Sequence, residues 1–96
     1  MKTNAYLCNL ETLREIGFAH WDPIGLVKTR RQHEDEYDSY LLQAAGLAIR
    51  GEREDGVSDY LLSCCDEMGV AGNIAAAVKT AHAIIREVFG AKLKAC

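Results

Sequence analysis

Apolar residues in this chain recur every three or four positions along four separate stretches, and nowhere do they alternate one by one between turn signals. That pattern fixes the fold class, because a helix turns once in about 3.6 residues whereas a half-buried strand shows every second side chain to its core. It predicts an all-α chain, a compact bundle of about four helices around one core. Ninety-six residues give room for a single small helical domain, residues 1–96.

Leu7, Leu10, Leu13, Gly17 and Trp21 form the first stripe, predicting a helix over about residues 4–20 that Pro23 stops. Proline also pushes the residue before it, Asp22, towards extended geometry, and Gly25 completes a turn. Residues 28–38 hold Tyr37 as their one apolar residue and switch from Lys28, Arg30 and Arg31 to Glu34, Asp35, Glu36 and Asp38. Acids suit the positive end of a helix dipole, so the second helix is expected to start at Asp35 as cap, to bury Tyr37, Tyr40, Leu41, Ala44, Ala48 and Ile49, and to end before Gly51. Residues 51–56 read as a loop, with Asp55 or Ser58 capping a third helix of about three turns: Val57, Tyr60, Leu61, Cys64, Cys65 and Met68 as far as Gly69. Asn73 caps a fourth, whose stripe is Ile74, Val78, Ala81, Ile85, Val88 and Phe89; it runs to about Lys94 unless Gly90 ends or bends it.

Charge and cysteine usage exclude several functions. Eleven basic against fourteen acidic side chains give a net charge of −3, which is not the footprint of a nucleic-acid binder. Lys28, Arg30 and Arg31 have no interleaved aromatic or phosphate-cradling glycine loop, and Lys79, Arg86, Lys92 and Lys94 read as polar-face charges of a helix. The uncharged stretch of residues 68–78, which no other exceeds in length, is far short of the roughly 20 apolar residues of a membrane span. With no signal-like run near Lys2, a cytoplasmic location is expected. Cys8, Cys64, Cys65 and Cys96 contain no C-x-x-C pair and read as free thiols; a Cys64–Cys65 bridge would be strained and would break the third helix. No metal site is expected, since the acids around Glu34 lack the glycine of a calcium loop and no Glu-x-x-His motif occurs. His20, His33 and His82 fall on three elements, so a Cys–His nucleophilic pair needs the fold to join them. The expectation is a protein without cofactor that is not an enzyme.

The densest motif is Trp21-Asp22-Pro23-Ile24-Gly25, followed by Asp35-Glu36-Tyr37-Asp38 and Tyr40-Leu41-Leu42. Physically it reads as a structural turn, with Trp21 and Ile24 buried as anchors, Asp22 accepting backbone amides and Pro23 stiffening the bend. The competing reading is a recognition loop that presents Asp22 to a partner. The combination, over roughly residues 13–68 and with Tyr60-Leu61-Leu62 and Met68-Gly69 also in place, resembles the YugE-like group of small bacterial all-α proteins of unknown function. The resemblance implies a compact helical fold and no known active site. Some proteins of this pattern also resemble immunity proteins encoded beside polymorphic or contact-dependent toxins.

Charge segregation gives that analogy a physical form. Residues 34–67 hold ten acids against Arg50 and Arg53, a local charge of −8, so the rest of the chain is +5. Such a field attracts a basic partner and speeds its association. The expected function is an immunity protein that occludes a basic toxin, a nuclease for example, with the surface of residues 34–59. Asp35, Glu36, Asp38, Glu52, Glu54, Asp55 and Asp59 would steer, and Tyr37, Tyr40 and Tyr60 would anchor where exposed. The alternatives are a solvated acidic face without a partner, and a structural or housekeeping protein that forms a homodimer through the fourth helix. One consequence follows from the motif alone. Trp21→Ala is expected to cost about 3–5 kcal/mol, read as a lowered thermal midpoint; an unchanged melt would place the ring on the surface.

Overall fold

The computed structural model describes residues 9–95, and side chains as far as residue 90. Its elements are α1 (Leu10–Ile16), a π-helical turn (Gly17–Trp21), a short 3₁₀ segment (Val27–Gln32), α2 (Asp38–Ile49), α3 (Glu54–Met68) and α4 (Ile74–Ala95). The chain is all-α, and no strand occurs among the described residues. None of the described helices is long and apolar enough to cross a membrane. The 22 residues of α4 form a rod about 33 Å long, against which α3, α2, the π-helical turn and α1 all pack.

The first helix begins at Leu10, where the Asn9 side chain accepts from the Glu11 amide at 2.6 Å. The expected start near residue 4, with Leu7, lies outside the described residues. At the other end the helix does not simply stop. Leu13, Gly17 and Trp21 are spaced by four, wider than 3.6, and successive steps of four drift off a regular helical face. The π-helical turn, closed by the Asp22 amide on the Gly17 carbonyl at 2.8 Å, absorbs that drift and keeps all three in the core. Gly17 is required there, since a Cβ would stand 2.8 Å from Leu41 Cδ1 and 3.2 Å from Cδ2. Phe18, which the stripe did not contain, is also buried.

α2 begins at Asp38, three residues later than expected. Residues 34–37 form a turn in which the Asp38 amide bonds the Asp35 carbonyl at 3.2 Å, and Tyr37 holds the cap position without a side-chain cap. The core positions of α2 are Leu41, Ala44, Ala45 and Ala48, joined by Tyr37, with Tyr40 and Ile49 half-buried. α3 starts at Glu54 rather than after Gly56: its cap, Arg53, is extended, and Glu54 and Asp55 occupy the first turn, where acids meet the helix dipole favourably. Asp55 and Ser58, expected as caps, lie inside the helix, and it runs 15 residues instead of three turns. Gly51 (φ 105°) and Gly69 (φ 76°) end α2 and α3 in the left-handed region. Each is followed by an amide that reaches back five residues, Glu52 to the Leu47 carbonyl and Val70 to that of Cys65, both at 3.0 Å.

α4 opens as expected, with the Asn73 side chain accepting from the Ala76 amide at 2.9 Å, and Gly90 does not end it. Its buried face keeps Ala81 and Val88 of the expected stripe, with Ile85 half-buried, and adds Ala77, Thr80 and Ile84, whereas Ile74 is 70%, Val78 40% and Phe89 44% exposed. Small side chains let α4 approach four neighbours, so its seam takes in Ala77, which a ranking by apolarity passes over. The buried Thr80 hydroxyl is satisfied by the Ala76 carbonyl at 2.7 Å.

Two glycines test this packing in opposite directions. Gly17→Val drives methyl groups into Leu41 and is expected to destabilise by about 1–3 kcal/mol. Gly90→Ala, where nothing stands within 4 Å of the new Cβ, is expected to stabilise by about 0.5–1 kcal/mol. Thermal melts of the two variants check both signs.

Candidate functional site

The Trp21-to-Gly25 motif forms a knot of hydrogen bonds. Asp22 takes a left-handed conformation, φ 36° and ψ 59°, instead of the extended one expected before proline. Its carboxylate explains the exception: Oδ1 accepts from the Leu26 amide at 2.6 Å and from the Tyr37 hydroxyl at 2.8 Å, and Oδ2 accepts from the Val27 amide at 3.1 Å. Three donors compensate a backbone state that costs a non-glycine residue roughly 1–2 kcal/mol. The Tyr37 oxygen in turn accepts from the Ile24 amide at 3.1 Å. Burial pushes the Tyr37 phenol above its ordinary range, and the Asp22 charge acts in the same direction.

Around this knot the aromatic rings close. Tyr37 lies 5.2 Å from Phe18 and 5.4 Å from Trp21, and Trp21 lies edge-on to Tyr40 at 6.2 Å. The indole N–H of Trp21 is buried without a hydrogen-bond acceptor, and the Cys65 thiol lies against it. Arg30 stacks over Phe18 at 5.0 Å and reaches Glu15 at 3.3 Å, so of the three basic residues in this stretch only Lys28 and Arg31 are exposed. Ile24, expected to bury beside Trp21, is 42% exposed, because the turn points it away from the core.

The acidic residues separate into engaged and open groups. Asp38 is gripped by Arg14 through two bonds, Nε to Oδ1 at 2.9 Å and a terminal nitrogen to Oδ2 at 2.7 Å, with Glu34 at 3.7 Å as a weaker partner. This clamp ties α1 to the start of α2, and its hydrogen bonds hold the Arg14 guanidinium more firmly protonated than usual. Glu54 bonds His82 of α4. Asp35, Glu36, Glu52, Asp55, Asp59, Asp66 and Glu67 are exposed, and none has a cation within 4.0 Å among the described residues.

No known protein family, curated protein or solved structure matches this chain. Its own geometry therefore carries the reading, and it corrects the expected surface of residues 34–59. Asp35 and Glu36 lie at one end of α2 and Glu52 at the other, about 18 Å apart along the 12-residue helix. The outer face of α2 between them shows Ser39, Leu42 and Gln43, with no acid. The open acids that come closest to a shared face are on α3, where Asp55, Asp59 and Asp66 fall on one side at helical spacing and Glu67 lies beside Asp66.

Tyr37 is fully buried and so is not a surface anchor, and Asp38 and Glu54 are held by partners within the chain. Tyr40 and Tyr60 are half-buried; burial raises the Tyr60 phenol, with the Cys64 thiol against it. Cys64 and Cys65 are free, buried thiols, and burial raises both, which keeps them protonated and poor nucleophiles. After burial, Tyr60, Glu67 and Cys65 act on Cys64, and Trp21 and Asp66 act on Cys65. Among the described residues no group of three or more metal-ligating side chains occurs. Arg14 was missed as a site residue because its partner is 24 positions away, beyond any local pattern.

The knot has a direct test. Tyr37→Phe removes the hydroxyl from both Asp22 and the Ile24 amide and is expected to cost about 1.5–3 kcal/mol in denaturant unfolding, because the lost bond is to a charged group. Asp22→Ala, which orphans two amides as well, is expected to cost more. A Tyr37→Phe protein as stable as the parent would show that the bond contributes nothing.

Proposed function

We propose that this chain is a stoichiometric protein-binding protein that docks a basic partner on the outer face of α3. The observation that supports the reading is the row of Asp55, Asp59, Asp66 and Glu67, exposed on one rigid helix and without a cation in reach among the described residues. Acids left open on one face form a field that steers an oppositely charged protein and fixes its orientation. Asp35, Glu36 and Glu52 extend that field beyond α3, and the half-buried Tyr60 lies on the same helix as a contact at its edge. Neutralisation of a basic toxin, a nuclease for example, by covering its active site is the biological form given by the resemblance to immunity proteins.

A second reading is favoured by a separate observation. Ile74, Val78 and Phe89 leave an apolar stripe open along α4, which suits self-association into a homodimer. Light scattering separates the two: a dimer dispersed by Val78→Lys supports the α4 contact, and a monomer at high concentration removes it.

The leading reading is tested with tagged protein in lysate of its native source, at low and then moderate salt. One basic partner is expected, released as salt rises. Asp55→Lys with Asp59→Lys and Asp66→Lys is expected to slow its association by about tenfold or more while the melt stays close to that of the parent. Undiminished capture by the triple variant would remove α3 as the docking face.

A further inference from the structure

Between the π-helical turn and α4 runs an open groove of about 460 Å³, lined by His20, Lys79, His82, Ala83, Arg86 and Glu87. The sequence offers Lys79 and Arg86 as ordinary polar-face charges; the fold gives them a setting. They lie seven residues apart, two turns and about 10 Å along one helix face, and Ala83 between them leaves the floor open. His20 faces them from the opposite wall. Neither Lys79, Arg86 nor His20 has a carboxylate within 4.0 Å among the described residues.

The wall that carries His20 is the π-helical turn. Such turns are rare and recur at functional sites. Here the widened turn keeps Trp21 in the core while His20, one residue before it, stays exposed against α4. An ammonium, a planar guanidinium fork and an imidazole around a small-residue floor form a donor set suited to oxyanions. Two carboxylates limit what can bind: Glu87 sits on the rim, and Glu54 is bonded to His82. With the histidines neutral the two carboxylates balance the two cations, so net charge draws no anion and a single-charge anion gains little. An anion that engages Lys79 and Arg86 together gains from both.

We propose that this groove binds a small multivalent oxyanion, a phosphate-bearing or polycarboxylate metabolite, through Lys79, Arg86 and His20. It is independent of the acidic face of α3, and each can fail without the other.

The test is a two-dimensional NMR titration of the whole chain with inorganic pyrophosphate and, separately, with citrate, at low salt. Saturable shifts centred on His20, Lys79, Ala83 and Arg86 are expected. Saturation by pyrophosphate alone assigns a phosphate ligand, and saturation by both assigns the wider oxyanion class. Lys79→Gln with Arg86→Gln is expected to weaken binding by about tenfold or more. Both side chains are exposed, and Arg86→Gln alone, with a smaller loss, serves as the second variant. No saturation by about 10 mM ligand, unchanged affinity in the charge variants, or equal shifts at Lys28 and Arg31 would overturn the proposal, the last by revealing only general screening.

Discussion

The contact on which the architecture depends is the bond between the Tyr37 hydroxyl and the Asp22 carboxylate. After Trp21 the chain must leave α1, cross Pro23 and return so that α2 can pack beside it, and a reversal of that kind exposes backbone amides at the edge of the core. Asp22 accepts from two of them, and its second bond through Oδ1 fixes Tyr37 fifteen residues later. The rings of Phe18 and Trp21 then close on Tyr37. A single carboxylate thus joins a turn, an aromatic cluster and the start of α2. The Arg14–Asp38 clamp next door sets the same junction from the other side. Two charge-assisted contacts at one junction explain how a domain with so short an α1 holds it in a defined place.

Part of the chemistry that acts over one helical turn was legible in the sequence, although the caps expected at Asp35, Asp55 and Ser58 were not formed. Asn73 as cap, Gly51 and Gly69 as helix ends, and Asp22 as acceptor of turn amides all follow from residues within five positions of one another. Most of what else the sequence did not show depends on partners far away. The seam of α4 takes in Ala77, Thr80 and Ile84 because four elements pack against the helix, so apolar Ile74 and Phe89 remain outside. Glu36 and Tyr37 are neighbours in the chain, yet one is exposed and the other buried, a division set by where Asp22 lies and not by their own neighbourhood. The acids of residues 34–59 read as one surface along the chain, and the length of α2 separates them in space.

The cysteines show the same principle from the chemical side. A vicinal pair of thiols in a sequence invites a redox or nucleophilic reading. In the fold both are buried and protonated, Cys64 against the Tyr60 phenol and Cys65 against the Trp21 indole. Sulfur is a soft, small filler for the irregular space beside aromatic rings. Their place in the structure is therefore explained by packing around the knot, without a reaction.

Charge provides the last step. Where an acid serves the fold, it has been given a partner: Asp38 has Arg14, Glu15 has Arg30, and Glu54 has His82. The acids of the α3 face and the cations Lys79 and Arg86 have been left open, although both signs are present on one small molecule. Pairing them on the surface would add little to stability, on the order of 0–1 kcal/mol per pair. Leaving the α3 acids open produces a negative local field, which acts at distances of about 8–10 Å in ordinary salt, well beyond contact, and leaves Lys79 and Arg86 available for direct contact. An arrangement that contributes so little to folding and so much to approach is what a protein that meets charged partners requires. The separation of sign, more than any single residue, is what the proposed docking face and the proposed oxyanion groove have in common.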